Sequence, residues 1–171
     1  MTETEVILVD ENDLEIGKME KMEAHQKALL HRAISVFIVN SKGEWLLQQR
    51  TYDKYHSKGL WTNCCCSHPF PGETSLNAAN RRLMEEMGLE TRLKEIFSFS
   101  YIQELENNLT EHEFDHVFVG ITDEKPQPHP DEVMDYGYFS FENLKKDIDA
   151  HPDNYTAWFK LIYQQVGEII G

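Results

Sequence analysis

The sequence predicts an α+β fold in which one mixed β-sheet is flanked by helices, with additional elements towards both ends of the chain. Short runs of β-branched and aromatic residues alternate with turn residues, which is typical of strands. Three longer segments instead carry apolar residues at helical spacing. The chain has 171 residues, of which 40% are hydrophobic. This length and composition suit a single domain over residues 1–171 that can bury a sizeable core.

The first part of the chain is expected to form four strands. β-branched runs over residues 6–9 and 33–39 predict two of them. The sequence Asn40-Ser41-Lys42-Gly43 predicts a turn, and it leads into a third strand over 45–50. Residues 60–66 predict the fourth.

A helix is predicted next, because Thr74 or Ser75 can cap its start and Gly88 is well placed to end it. The predicted apolar stripe consists of Leu76, Ala79, Leu83 and Met87. A neighbouring arc carries Arg82, Glu85 and Glu86. One side of the helix can therefore pack on the core while the other holds polar chemistry.

The second half of the chain predicts strands over 96–102, 114–121 and 133–139. Between the last two, residues 125–130 contain three prolines, which exclude a central strand and favour a surface loop. Helices are predicted over 141–150 and 155–170.

Charge and hydropathy limit the classes of partner. The net charge of −14 argues against nucleic acid or an anionic membrane, since both require a broad basic surface. No segment has the apolar length of a membrane span, and residues 1–5 are acidic where a secretory signal would be basic. We therefore expect a cytoplasmic protein with a small-molecule partner. Composition leaves a monomer and a homodimer equally open.

The segment from Trp61 to Pro69 places thiols and an imidazole directly before the predicted helix. If it enters as a strand, alternation sends Cys64 and Cys66 to one face and Cys65 to the other, so that one of the first pair can face a pocket. For any single thiol, core packing is the commoner role. A structural zinc site is a weaker alternative because the sequence has no second cysteine pair. Cysteines confined to one run also indicate a reducing compartment.

The helix and its approach resemble the Nudix box, in which a loop, a helix and a second loop hold divalent metal over a diphosphate. The matching positions are Glu73, Arg81, Leu83, Glu85, Glu86, Gly88 and Leu89. Two positions depart from the pattern. Ser67 stands where the box has its leading glycine, and Arg82 stands where it has the first glutamate after the arginine. The second departure argues against ordinary diphosphate hydrolysis.

Both departures are found in one branch of that superfamily, the type 1 isopentenyl-diphosphate isomerases, and the similarity extends over nearly the whole chain. The similar motifs are Trp61 to Pro69, Glu111-His112-Glu113, Asp131 to Tyr136, and an aromatic residue near the C-terminus at Trp158. Several separate motifs in the same order are far more specific than a Nudix box alone. The resemblance implies a Nudix-type sheet and interconversion of isopentenyl and dimethylallyl diphosphates.

The resemblance also implies roles for residues at the reacting carbons. Moving the double bond requires protonation of one carbon and deprotonation of another, with a cationic carbon between these steps. Cys66 and Glu113 are the implied proton-transfer groups, and a thiol suits this role because its pKa responds strongly to nearby charge. Tyr101 is implied to support the acid. Trp158 is implied to stabilise the cation through its ring face, although either aromatic residue could simply pack in the core.

Metal and phosphate ligands follow from the same resemblance. One divalent ion, Mn²⁺, Mg²⁺ or Zn²⁺, is expected in a site formed by His25, His31, His68, Glu111 and Glu113. A second ion, Mg²⁺, is expected to bridge the diphosphate to Glu86, with the Cys66 backbone oxygen as an additional ligand. The implied phosphate-binding cations are Lys21, Arg50, Lys54 and Arg82. His112 and His116 are left out of the site.

Two other functions remain open at the level of sequence. A Nudix hydrolase of a nucleoside or isoprenoid diphosphate would share the metal-binding helix, and a non-catalytic diphosphate or metal sensor would share the binding cluster. Without the flanking motifs, Arg82 and Glu86 would be interpreted as an ordinary helical ion pair worth about 0.3–0.5 kcal/mol. Glu111 and Glu113 would be interpreted as a solvated strand face.

Overall fold

The computed structural model describes residues 5–170, so most of the acidic segment 1–5 lies outside the described residues. The strands are β1 Glu5–Val9, β2 Glu15–Glu20, β3 His31–Val39, β4 Trp45–Arg50, β5 Trp61–Thr62, β6 Cys65–Ser67, β7 Lys94–Glu104, β8 Thr110–Ile121 and β9 Val133–Phe139. The helices are α1 Lys21–Gln26, α2 Ser75–Met87, α3 Phe141–Ala150 and α4 Ala157–Ile170, with a 3₁₀ turn at Pro152–Asn154. The predicted α+β class is confirmed.

Strand β3 is the centre of the sheet. It runs parallel to β8 over its whole length, from His31 opposite Glu113 to Val39 opposite Ile121. It pairs antiparallel with β1, β4 and β6. β7 extends the sheet beyond β8, and β9 pairs with β4. The sheet is therefore mixed, with β3 in a position where strands from distant parts of the chain meet.

The two faces of β3 explain why the domain has helices on both sides. Ile34, Val36 and Ile38 belong to a core under α2. Phe37 and Val39 belong to a second core under α3 and α4. Because successive side chains of a strand point to opposite faces, a run that is apolar at nearly every position must be covered on both.

Helix α2 begins and ends as predicted. The Thr74 hydroxyl accepts a hydrogen bond from the backbone N–H of Asn77, and Gly88 ends the helix in the left-handed region at φ 62°. The predicted stripe is wrong at Leu76, which is 44% exposed. Ala78 is fully buried instead. The face of α2 that packs on the sheet therefore begins at Ala78 and does not include Leu76.

The predicted strand over 60–66 is wrong in one respect, since it is divided into β5 and β6 with different partners, β4 and β3. Between them, the Asn63 amide donates to the backbone oxygens of Val36 and Cys65 at 3.0 and 2.9 Å. The expected alternation therefore fails, because Cys64 and Cys65 are both fully buried and only Cys66 is partly exposed.

Two elements of the structure were not predicted from the sequence. β2 carries three charged residues among six, and α1 has only six residues, so neither has a strong apolar period. The loop over 125–130 contains no helix or strand, as predicted. β8 begins four residues earlier than predicted, and this extension contains Glu111 and Glu113.

Candidate active site

Strand β8 supplies three carboxylates to one face of the sheet. Glu111, Glu113 and Asp115 are all buried, whereas the residues between them are more exposed. In the sheet register, Glu113 lies between His31 of β3 and Tyr101 of β7. The pairing of these strands therefore brings together an imidazole, a phenol and a carboxylate from three separate segments.

Three histidines converge on one oxygen of Glu113. The Nε2 atoms of His25, His31 and His68 lie 3.9, 3.3 and 3.0 Å from Glu113 Oε2. All four side chains are buried. Their ligand atoms lie within 4.8 Å of one another, which is close to the size of a metal coordination sphere.

The other ring nitrogens determine what this cluster can bind. Nδ1 of His25 lies 2.8 Å from the Lys21 carbonyl oxygen, and Nδ1 of His31 lies 2.8 Å from that of Leu29. A carbonyl can only accept, so each Nδ1 carries the proton and a neutral ring has its lone pair on Nε2. Burial, followed by the charge of His68, lowers the pKa of His25 to about 4. His25 is therefore neutral at pH 7.

The cluster fits a divalent ion on these grounds. Neutral imidazole nitrogens and a carboxylate are ligands that suit Zn²⁺ and Mn²⁺. In addition, His25 Nε2 is buried and has no hydrogen-bond partner among residues 5–170. An ion between the three nitrogens and Glu113 would satisfy it.

Tyr101 connects the two glutamates of β8. Its hydroxyl lies 2.9 Å from Glu113 Oε1 and 3.1 Å from Glu111 Oε1. Burial and then the charge of Glu113 raise the pKa of Glu111 well above its usual range. Burial alone would also raise the pKa of Glu113, but hydrogen bonds from His31 and His68 outweigh it and hold that pKa well below its usual range. The pair thus favours one protonated and one ionised carboxyl group.

The Cys66 thiol has three hydrogen-bonding contacts, the longest of which is with Ser35 Oγ at 3.9 Å. The Trp158 indole donates from Nε1 to Cys66 Sγ at 2.9 Å, and the thiol donates to Asn63 Oδ1 at 3.1 Å. Burial, followed by the charge of Asp115, raises the pKa of the Cys66 thiol well above its usual range. The thiol therefore keeps its proton at neutral pH.

Two neighbouring cavities share Cys66 in their linings. The outer one is a cleft of about 780 Å³, whose lining includes Lys21, Arg50, Lys54 and Arg82. The inner one measures about 30 Å³, and its lining includes Cys66, His68, Glu111, Glu113 and Trp158. The four cations predicted to bind phosphate thus share one cleft, and the two predicted proton-transfer residues share the chamber at its floor.

Helix α2 contributes a buried charge network at the cleft wall. Glu86 lies 3.3 Å from Arg82, 3.9 Å from Lys54 and 3.2 Å from the thiol of Cys65. Gln48 donates to Glu86 Oε1, the oxygen nearest Lys54, at 3.3 Å. Glu86 belongs to no group of three ligand side chains among residues 5–170, so an ion beside it would need oxygens from the backbone or from a ligand.

Residues at the Nudix-like positions hold the loop before α2 against the helix. Arg81 contacts both carboxylate oxygens of Glu73 at 2.9 Å and Glu85 at 3.0 Å. It also donates to the His68 carbonyl oxygen at 3.3 Å. The loop that carries His68 is thereby fixed to the helix that carries Glu86.

Several residues of the site were not identified from the sequence. Asp115 accepts from Ser35 at 2.7 Å, and Glu132 lies 2.5 Å from Arg82 and 3.3 Å from Lys54. His56 lines the inner chamber. The spacing of Asp115, two residues after Glu113, was a usable signal, since alternation places it on the same face. Glu132 lies within the motif Asp131 to Tyr136, although no role was assigned to it. His56 had no comparable signal.

The two histidines left out of the site lie away from the cluster. His112 Nδ1 contacts the Ala28 carbonyl oxygen at 3.0 Å. His116 lies between Asp13 and Glu95, at 2.8 and 3.0 Å. Among residues 5–170, the structure has no helix that is long and apolar enough to span a membrane.

Comparison with solved structures supports the fold. The chain is similar to a protein from Deinococcus radiodurans with a TM-score of 0.77 and 20% identity, over 94% of this chain and 98% of that one. It is also similar to a MutT NUDIX hydrolase from Burkholderia pseudomallei with a TM-score of 0.64 and 21% identity, over 80% of this chain and 98% of that one. At these identities the similarity shows the fold alone.

Comparison with curated sequences is more specific. The NUDIX domain family matches residues 29–159. An isopentenyl-diphosphate Delta-isomerase from Pectobacterium atrosepticum is 53% identical, over 95% of this chain and 91% of its own. An isopentenyl-diphosphate Delta-isomerase 2 from Photorhabdus laumondii is 49% identical, over 95% of each chain. The chain therefore belongs to the type 1 isopentenyl-diphosphate Delta-isomerase family within the Nudix superfamily.

Proposed function

We propose that this protein interconverts isopentenyl and dimethylallyl diphosphates, with Cys66 and Glu113 as the proton-transfer residues. The observation that carries the proposal is their position in one chamber, at the floor of a cleft that Lys21, Arg50, Lys54 and Arg82 line. A diphosphate held by cations in the cleft would direct its hydrocarbon end towards the chamber. Both reacting carbons would then lie between a thiol and a carboxylate.

The reaction adds one proton and removes another. Donation to the terminal methylene carbon uses the electrons of the C=C bond to form a methyl group and leaves a tertiary cationic carbon. Loss of a proton from the adjacent methylene carbon, on the diphosphate side, supplies the electrons of the new double bond. A protonated Cys66 thiol and an ionised Glu113 hold one proton between them, which is the balance that the reaction requires. In the reverse reaction, the carboxyl group of Glu113 donates a proton and the Cys66 thiolate accepts one.

Tyr101 and Trp158 are proposed to support these two residues. The Tyr101 hydroxyl is within hydrogen-bonding distance of both Glu111 and Glu113, so it can hold the carboxylate in place and share its proton. The Trp158 indole fixes the thiol through its N–H, while its ring borders the chamber. An aromatic face there would stabilise the cationic carbon by roughly 0.5–2 kcal/mol.

The buried cluster of His25, His31, His68 and Glu113 is proposed to hold one divalent ion, Mn²⁺, Mg²⁺ or Zn²⁺. Glu111, whose ligand atom is grouped with that of His25, is proposed as a further ligand. When bound, such an ion withdraws charge from the glutamates and so makes a carboxyl group a stronger acid. A second ion, Mg²⁺, is proposed beside Glu86 and the Cys66 backbone oxygen, with the diphosphate completing its ligands. Glu86 itself already contacts Arg82 and Lys54, so these cations and the ion would act together on the diphosphate.

Binding requires some rearrangement around the inner chamber. A volume of about 30 Å³ has room for roughly two or three water molecules, which is less than a five-carbon chain needs. Tyr55 lines both cavities, and we propose that it moves when the hydrocarbon enters. Closure behind the substrate would then keep water away from the cationic carbon.

The alternative is a Nudix hydrolase, and the arrangement around Arg82 argues against it. Its guanidinium contacts Glu85, Glu86 and Glu132 in the cleft, in a position where the Nudix box places a glutamate. A cation there neutralises phosphate oxygens and does not activate water.

One assay separates these functions. Purified protein supplied with Mg²⁺ and Mn²⁺ is incubated with isopentenyl diphosphate, and dimethylallyl diphosphate and inorganic phosphate are both quantified. We expect the isomer without phosphate. Release of phosphate without the isomer would show a hydrolase, and the absence of both products would favour a binding protein.

A further inference from the structure

His56 is a buried imidazole in the inner chamber to which neither the mechanism nor the sequence motifs assign a role. It lies between β4 and β5 and is 1% exposed. Its Nε2 is 3.4 Å from Glu111 Oε2, yet it has no partner with hydrogen-bond geometry among residues 5–170. An unsatisfied buried nitrogen costs stability, so this atom requires an explanation.

The ligand atoms around His56 form a second group that overlaps the first. Those of His25, His56 and Glu111 lie within 4.8 Å of one another, as do those of His25, His31, His68 and Glu113. Ligands on one ion at roughly 2.0–2.2 Å are at most about 4.4 Å apart. A closure of a few tenths of an ångström would therefore bring either group onto an ion.

The shared residue decides how many ions the two groups can hold. His25 Nδ1 donates to the Lys21 carbonyl oxygen, which leaves only Nε2 as a ligand. One nitrogen lone pair binds one metal, so the two groups cannot each hold a separate ion through His25. The two groups could form a single centre if the ligand atoms that lie more than 4.8 Å apart across them moved closer when the ion binds.

The surroundings of His56 favour a lone pair on Nε2. Its Nδ1 lies 3.0 Å from the Ser57 hydroxyl, whose oxygen can accept a hydrogen bond from the ring N–H. Arg50 donates to the backbone oxygens of His56 and Ser57 at 3.1 and 3.3 Å. These contacts fix the segment and direct Nε2 towards Glu111 and His25.

We propose that His56 is a further nitrogen ligand of the divalent ion, in addition to His25, His31 and His68. This inference rests on the proposed metal centre and deepens it. A fourth imidazole would raise the preference of the centre for Zn²⁺ and Co²⁺ over Mg²⁺, since nitrogen ligands favour the later divalent metals. The competing explanation is that His56 only positions Glu111 by donating a hydrogen bond.

Two variants distinguish these explanations. His56→Gln removes the imidazole but keeps an amide N–H that can donate to Glu111, so a positioning role would survive it. His112→Gln is the matched control, because His112 lies on β8 between Glu111 and Glu113 but contacts Ala28 on the other face. Unfolding temperatures of the metal-free proteins verify that both variants fold.

The measurement is proton NMR of the Co²⁺-loaded proteins in water, where each coordinated imidazole gives one paramagnetically shifted, exchangeable N–H signal. We expect one signal for each of His25, His31, His56 and His68 in the wild type and in His112→Gln. His56→Gln should lose one signal and bind Zn²⁺ at least about tenfold more weakly in a chelator competition. Its loss of Mg²⁺ affinity should be smaller.

Other results would overturn the inference and show at which level it fails. If the wild type and His56→Gln have the same number of shifted signals and the same Zn²⁺ affinity, His56 is not a ligand, while the centre of three histidines stands. If no shifted imidazole signal is found in any of the proteins, the proposed metal centre itself is wrong. Isomer formation by the wild type, measured separately, shows whether the proposed activity stands in either case.

Discussion

The Trp158 indole donates a hydrogen bond from Nε1 to Sγ of Cys66 at 2.9 Å. The two residues are 92 positions apart in sequence, and α4 brings them together against β6. The contact fixes a protonated thiol at the edge of the inner chamber, where the indole ring also lies. In the proposed mechanism, this single side chain would position one proton-transfer group and present an aromatic face to the substrate.

Trp158→Phe should separate these two contributions, because it removes the N–H donor and keeps an aromatic ring. We expect turnover to fall about tenfold, which corresponds to about 1.4 kcal/mol and the upper end of the net value of one hydrogen bond. Trp158→Leu, which also removes the ring, should fall further. Steady-state isomerase assays measure both, and equal turnover of Trp158→Phe and the wild type would show that the hydrogen bond does not contribute.

Cys66→Ala should reduce turnover by about 10²–10⁴-fold, the usual contribution of a positioned proton-transfer group. Cys64→Ala is the matched control, because Cys64 is fully buried in the core under α2. We expect this control to lose roughly 1 kcal/mol of stability and to keep its turnover. Activity and urea unfolding are measured on both variants, and full activity of Cys66→Ala would exclude the proposed role.

Arg82 and Arg81 are neighbours in α2 with different surroundings. Arg82 lines the cleft, so Arg82→Gln should raise KM by about 10–100-fold through the loss of charge-assisted hydrogen bonds to phosphate. Arg81 binds Glu73, Glu85 and the His68 carbonyl oxygen, so Arg81→Gln should mainly lower the unfolding temperature. Kinetics and thermal unfolding are compared for the pair. An unchanged KM in Arg82→Gln would contradict phosphate binding by Arg82.

Glu132 should make stability depend on pH in acid. Burial alone would raise its pKa, but the charges of Arg82 and Lys54 and their hydrogen bonds lower it below the ordinary glutamate value. A depressed folded pKa stabilises the protein above the unfolded value of 4.5, and this contribution is lost as the pH falls through the folded pKa. Glu132→Gln should therefore be less stable than the wild type at pH 7, and the difference should shrink below pH 4.5.

Denaturant unfolding of both proteins between pH 7 and pH 3 measures that difference. Glu106→Gln is not a suitable control, since Glu106 contacts the Ser57 backbone. Glu124 is exposed and serves better, because Glu124→Gln should follow the wild type across the range. A constant difference between Glu132→Gln and the wild type would show that the Glu132 charge is not coupled to folding.

Much of the fold follows from local sequence signals. Thr74 and Gly88 determine where α2 begins and ends, and the apolar run of β3 requires cover on both faces. The segment over 60–66 could not be predicted in the same way. There, the Asn63 side chain hydrogen-bonds to backbone oxygens and divides the strand, and such competition depends on a partner strand that local sequence does not reveal.

The site residues divide in the same way, into those that local sequence identified and those that depend on tertiary contacts. The motif around His68 and the alternation of Glu111 and Glu113 identified residues that the structure brings together. His25 also joins them, although it lies on a six-residue helix that the hydrophobic pattern did not predict. His56 was not identified, because its position in the chamber depends on how the loop between β4 and β5 folds against α4 and β8. Loop conformations of this kind depend on tertiary contacts.

The most direct test of the central claim is isomerisation in D₂O, followed by NMR of the product. The proton of the Cys66 thiol exchanges with solvent before substrate binds, so we predict deuterium in the newly formed methyl group of dimethylallyl diphosphate, without phosphate release. A product that carries no solvent deuterium in that methyl group would mean that hydrogen moves within the substrate, and it would contradict proton transfer through Cys66 and Glu113.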